Sequence, residues 1–217
     1  MGQSVYVAFK SSFRCAECSG FIIVEGPTEA ITCPDCGHAY QQLTTMWETL
    51  LGRPFEDNDA PSPEFRHGSL TTGELGYAEV LQAWATSPPC CGHCGVALPI
   101  IDGDVDVDVD VDVVCAACGQ GTPSFPAPAW LQTITPRALQ VVGAPRPDHK
   151  GVAVVADDKP VCFVCPRCGA ALDVNRQAPR ILACSYCSAD LYIPDALWRR
   201  LHPVKKRTTW WVRFATT

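Results

Sequence analysis

Nowhere in this chain do about eighteen apolar residues follow one another, so it offers no candidate transmembrane helix. Met1 to Lys10 contains no basic stretch leading into an apolar run, so no secretory leader is expected and a reducing, cytoplasmic setting is predicted. The side-chain sets that carry out chemistry are missing too. There is no Ser/His/Asp constellation, no phosphate-cradling glycine loop and no pairing of His with Glu around an open metal position. His38, His67, His149 and His202 have no patterned carboxylate or thiol beside them. Catalysis is therefore not expected. Methionine is scarce, at two residues, but cysteine is not.

The 14 cysteines occur as tight pairs, unlike the scattered positions of a disulfide-stapled secreted protein, and this points to metal. Twelve of them form three sets of two C-x2-C knuckles: Cys15/Cys18 with Cys33/Cys36, Cys91/Cys94 with Cys115/Cys118, and Cys165/Cys168 with Cys184/Cys187. The knuckles of a set are separated by 14, 20 and 15 residues, at or one short of the spacing of a four-cysteine zinc site. Two residues between paired cysteines let both sulfurs reach one ion, and a second knuckle completes a tetrahedron. Gly37, Gly95, Gly119 and Gly169 follow the second cysteine of four knuckles, where positive φ is needed to turn the backbone toward the sulfurs.

The repeat extends beyond the ligands. Phe21–Val24 and Ala30–Thr32 read as two strands joined by a turn, as do Ala171–Val174 and Arg180–Ala183, while Val96–Ile101 and Val105–Val114 take these parts in the middle set. Trp47, Trp130 and Trp198 lie 11, 12 and 11 residues after the last cysteine of each set, among apolar positions at helical spacing. Their expected role is to cover the ribbon from a short helix rather than to form a binding platform.

These knuckle features resemble the zinc ribbon class, over roughly residues 1–50, 88–142 and 160–217. The resemblance implies three structural metal ions and a small antiparallel β fold, but no particular activity. Zinc is the expected ion, with rubredoxin-like iron as the alternative. A unit of about fifty residues cannot bury enough apolar surface to fold alone, whereas zinc binding contributes on the order of 10–16 kcal/mol. The expected fold is thus a small metal-stabilised α+β array, three ribbons each followed by a short helix and joined by linkers. The boundaries are 1–52, a linker with a connecting helix at 53–87, a second ribbon with an acidic strand at 88–143, a hinge at 144–159, and a third ribbon with a basic aromatic tail at 160–217. The connecting helix is placed at Gly73–Thr86, from Leu75, Ala78, Leu81, Trp84 and Ala85. A strand at Val152–Val155 would mirror Val5–Phe9, and Trp210, Val212 and Phe214 alternate as a closing strand.

Several signals admit two readings. Cys162 could replace Cys168 as the partner of Cys165, although Pro166 and Gly169 favour Cys165/Cys168; Cys90 and Cys162 are then free thiols. Cys91-Gly92-His93-Cys94 matches a disulfide-isomerase active-site tetrapeptide but lacks the βαβ setting that chemistry uses. The Asp/Val alternation from Asp104 to Val114 reads as a repeat expansion with a packed Val face, or as a lure for a basic partner or Ca²⁺.

Charge is uneven: 7 Lys and Arg face 20 Asp and Glu over residues 1–158, against 10 and 3 over residues 159–217. Arg199, Arg200, Lys205, Lys206 and Arg207 lie beside Trp210 and Trp211, a combination that could contact a partner or track nucleic acid. The function expected is a non-enzymatic zinc-binding adaptor presenting tandem ribbons to protein partners, not to a membrane. The alternatives are nucleic-acid binding through the basic tail and thiol oxidoreduction at Cys91/Cys94.

Overall fold

The structure is a computed structural model and describes residues 4–56, 62–100, 110–146, 161–175, 178–201 and 208–216. In chain order the first elements are β1 (Ser4–Arg14), β2 (Phe21–Val24), β3 (Ala30–Thr32), β4 (Ala39–Gln41) and helix α1 (Thr44–Gly52). Next come β5 (Arg66–Thr71), β6 (Glu79–Thr86), β7 (Val111–Val114), β8 (Gly121–Pro126), helix α2 (Ala129–Ile134) and β9 (Ala138–Val142). The rest supplies β10 (Val161–Val164), β11 (Ala171–Val174), β12 (Ile181–Ala183), β13 (Asp190–Tyr192), helix α3 (Asp195–Leu201) and β14 (Trp210–Ala215). The chain divides into two compact units, Met1–Gly151 with Lys206–Thr217, and Val152–Lys205.

The larger unit is built on an eight-stranded sheet in the order β5-β6-β1-β14-β9-β8-β7, with β2 also paired to β1. β1 is long enough to use different partners along its length. One side pairs with β6 from Val7 to Phe13, while the other pairs first with β14, Ser4 to Phe9, and then with β2, Ser11 to Arg14. The two ends of the chain therefore lie side by side in the middle of the sheet.

Successive strand residues face opposite ways, and in this sheet both faces are covered. Trp210, Val212 and Phe214 join Phe9, Val7 and Val141 in a core with Met46, Trp47, Leu50 and Leu51 of α1, Leu131 of α2, and Cys15 and Cys33. Trp211 points to the other face, where Tyr6, Ala8 and Val142 pack with Leu98, Cys91 and Cys115. Phe9 stacks on Trp210 at 4.9 Å, and Trp47 meets the same indole edge-on at 6.0 Å. The buried indole N–H groups are satisfied, Trp210 donating to the Val24 carbonyl at 3.1 Å, Trp47 to Thr28 at 2.8 Å and Trp211 to Ser87 Oγ at 3.2 Å.

Three expectations change. The described chain is mostly β, and the first two cysteine sets belong to one compact unit, each with one knuckle on the eight-stranded sheet: Cys15/Cys18 between β1 and β2, and Cys115/Cys118 between β7 and β8. The connecting helix at Gly73–Thr86 is instead a 3-10 turn, Gly73–Leu75, followed by β6, and β5 lies within the expected linker. Positive φ at Gly76 (60°) and Tyr77 (61°) ends the turn, and Val80, Gln82 and Trp84 then alternate against β1 and β5, so strand pairing overrides the helical spacing. The turn has its own use: the Glu74 carboxylate accepts from the Thr45 and Met46 amides at 2.8 Å, capping α1, whose own N-cap Leu43 cannot. Finally, Trp130 packs against the core that holds Trp47, not against the second cysteine set.

The smaller unit contains the hairpins β10–β11 and β12–β13 and helix α3. Its apolar clusters are small, centred on Leu172 and Leu191 beside Cys165 and Cys184, and on Val174, Ile193 and Leu201. The expected strand Val152–Val155 and most of the Asp/Val run, residues 104–109, lie outside the described residues. Asp110 and Asp112, at the end of that run, pair with Arg146.

The central position of β14 gives a sharp expectation. Deleting residues 208–217 removes the strand between β1 and β9 and exposes Phe9 and Val7, so the larger unit should lose its cooperative urea transition even in excess zinc. An unchanged midpoint would show that the strand is dispensable.

Candidate metal centres

Each knuckle is the tip of a β-hairpin. β1 runs into Cys15 and leaves Cys18 as β2, β3 and β4 flank Cys33/Cys36, β7 and β8 flank Cys115/Cys118, and β10–β11 and β12–β13 flank the last two. Cys91/Cys94 sits under the single bridge between Cys90 and Ala97. Phe21–Val24 and Ala30–Thr32 are therefore strands but not partners of each other, since each pairs across its own knuckle.

The six knuckles share one backbone. The amide of the first cysteine donates to the carbonyl five residues on, and the amide four residues on donates back, at 2.8–2.9 Å, as in Cys33 with His38 and Gly37. The residue after the second cysteine has positive φ in all six: Gly37, Gly95, Gly119 and Gly169 lie between 72° and 76°, Ser19 at 60° and Ser188 at 55°. The two serines occupy places where the sequence shows no glycine, and only alignment of the six knuckles reveals that they meet the same demand.

This geometry brings the sulfurs of each set together. The Sγ atoms of Cys15, Cys18, Cys33 and Cys36 lie within 4.8 Å of one another, as do those of Cys91, Cys94, Cys115 and Cys118 and of Cys165, Cys168, Cys184 and Cys187. Cross-knuckle separations are 3.7 and 3.6 Å in the first set, 3.6 and 3.5 Å in the second, and 3.8 Å twice in the third. They are far beyond a disulfide bond, which is about 2.0 Å, and all 14 cysteines are free. A tetrahedron with bonds of about 2.3 Å has edges of about 3.8 Å, so the donor set and its size fit zinc.

In each set the first cysteine of a knuckle is buried and the second more exposed. Four of the buried ones, Cys15, Cys91, Cys115 and Cys184, are tuned toward thiolate. Cys15 is brought down to about 6, chiefly by the Tyr40 phenol, which donates to its Sγ at 3.2 Å while accepting from the Ala16 amide at 2.9 Å. Amides of Cys94 and His93 lower Cys91 to about 6, and those of Cys187 and Tyr186 lower Cys184 to about 7. Cys36, Cys118 and Cys168 move the other way, to about 12. The amide each accepts from, of His38, Gln120 and Ala170, is outweighed by desolvation and by sulfurs that ionise first. A bound cation would supply the charge that lets four such thiolates coexist.

The remaining candidates are placed differently. Cys162 is exposed on β10, opposite Asp173 and outside the third set, and Cys90 contacts the Pro88 carbonyl at 3.4 Å. Arg199 and Arg200 are in α3, and Lys205, Lys206 and Arg207 lie outside the described residues. Trp210 and Trp211, read as candidate contact residues, are 0% and 5% exposed; both faces of β14 are covered, so neither can stack on a partner. The sequence gives no sign of Tyr40, because the matching position of the third set is Leu191. Among the described residues no helix is long and apolar enough to cross a membrane. The chain matches no protein-family model, no curated protein and no solved structure.

Two outcomes follow from the sites. Native mass spectrometry should find three zinc ions per chain, with complete chelation abolishing the tertiary circular dichroism signal. Tyr40→Phe removes the phenol that stabilises the Cys15 thiolate, so that thiol should return toward its ordinary value and protons should compete to higher pH. The pH midpoint of metal loading at the first site should rise while the other two stay put, as followed by cobalt substitution spectra.

Proposed function

We propose that this protein is a non-enzymatic adaptor of the zinc ribbon type, in which three zinc ions fix a β scaffold that presents its surface to protein partners. The observation that carries this reading is that each set supplies four thiols at tetrahedral spacing, a complete ligand shell of the structural kind with no position left for a substrate. Presentation is supported by the knuckle tips. Their inner residues, including Glu17, Asp35, His93, Arg167 and Tyr186, are all exposed and differ in chemistry although the backbone beneath them is the same.

The alternatives lose support. Cys91 and Cys94 face Cys118 and Cys115 across a hairpin tip, instead of standing alone at a helix start as redox dithiols do. Nucleic-acid binding loses the aromatic platform of Trp210 and Trp211, which are interior.

Co-purification from native extract with the tagged, zinc-loaded chain tests the proposal. Discrete protein partners that survive nuclease treatment are expected. Capture abolished by nuclease, or salt-dependent nucleic-acid binding lost when Lys205, Lys206 and Arg207 become Ala, would decide for the nucleic-acid alternative.

A further inference from the structure

The third repeat fills a site that the first leaves open. In the third, the Arg180 guanidinium lies over the rings of Tyr192 at 4.8 Å and Trp198 at 5.2 Å, donates to the Tyr192 hydroxyl and pairs with Asp195. Counted from the cysteines, the equivalents of Arg180, Tyr192, Asp195 and Trp198 in the first repeat are Glu29, Gln41, Thr44 and Trp47. The resident cation is thus replaced by an acid and the ring beside it by an amide. In this place the larger unit has a groove of about 680 Å³, lined by Glu29, Gln41, Thr44, Trp47, Trp130 and Ile134. Trp130 comes from α2 and stands 6.5 Å from Trp47. Glu29 is exposed and has no partner among the described residues. Gln42, also on the groove, has φ of 57°, a strained conformation for a residue with a side chain and one that concentrates at functional sites.

We propose that this groove receives an arginine side chain from a protein partner. The guanidinium would rest on Trp130, above the Trp47 floor, and pair with Glu29, the same two kinds of contact, ring and carboxylate, that the third repeat gives its own Arg180 from other positions. Charge complementarity favours this occupant, since the larger unit, residues 1–151 and 206–217, holds 18 acidic against 10 basic side chains and Glu29 is the charged residue of the groove lining. The inference rests on the adaptor reading and names the partner chemistry one of its surfaces selects.

The probe is acetyl-arginine methylamide titrated into the ¹⁵N-labelled, zinc-loaded full chain, with acetyl-glutamine methylamide as control. The readout is the indole N–H resonance of Trp130, assigned with Trp130→Phe. A saturable shift with the arginine probe alone is expected. Glu29→Gln should weaken it about two- to fivefold, the size of an exposed ion pair. Glu29→Arg should abolish it by filling the groove from within, while the remaining spectrum shows the fold intact. No shift up to about 20 mM, beyond the reach of a millimolar contact, an equal response to the control, or undiminished binding by Glu29→Arg would overturn the proposal. Partners that still co-purify with Glu29→Arg would remove the groove and leave the adaptor reading standing. Probe binding without any partner would do the reverse.

Discussion

Four sulfurs within a few ångströms of one another are the constraint from which the rest of this structure follows. As thiols they satisfy little, and as thiolates they repel, so the arrangement suits a cation and needs a backbone that holds the sulfurs still. The knuckle supplies that backbone: two amide hydrogen bonds per tip, a residue turned to positive φ, and amides aimed at the buried sulfur. Each hairpin is short, and the two of the smaller unit bury only small clusters beside Cys165 and Cys184. A metal ion held by each set would give such hairpins the stabilisation that area burial does not.

In the larger unit the same device is joined to a conventional core. The first cysteine set belongs to the face of the sheet that carries α1 and α2, and the second set to the opposite face, with Trp210 and Trp211 pointing one into each. β14 links the two, because a strand with both faces buried cannot be removed without uncovering both layers. Its position also determines which surfaces remain for other molecules. Aromatic side chains of the tail that look available along the chain are used up inside, whereas Trp130 is left half-buried on a groove.

Repetition explains why one chemistry serves two ends. The elements around the first and third sets match position by position, yet an arginine closes over the tryptophan in one and a glutamate stands at the open rim of the other. The backbone geometry is preserved by the ligands, which leaves the side chains around them free to diverge.

The ligand sets were legible in the sequence because their geometry is short-range. Two residues between cysteines, a glycine after them and a repeated spacing specify a tetrahedral site within one or two turns of chain. Strand identity was legible where β-branched and aromatic residues crowd together, as at Val5–Phe9, or alternate along the tail, as at Trp210–Phe214. Segment 73–86 was not, since Leu75, Ala78, Leu81 and Trp84 fit a helix locally and only pairing with β1 and β5 makes it a strand. The pairing of the two chain ends, the burial of Trp210 and Trp211, and the Tyr40 bond to Cys15 were likewise settled in three dimensions. The sequence by itself determined where metal would be held; only the tertiary structure decided which hairpins share a sheet, because apolar faces distant along the chain choose partners by the area they can bury together.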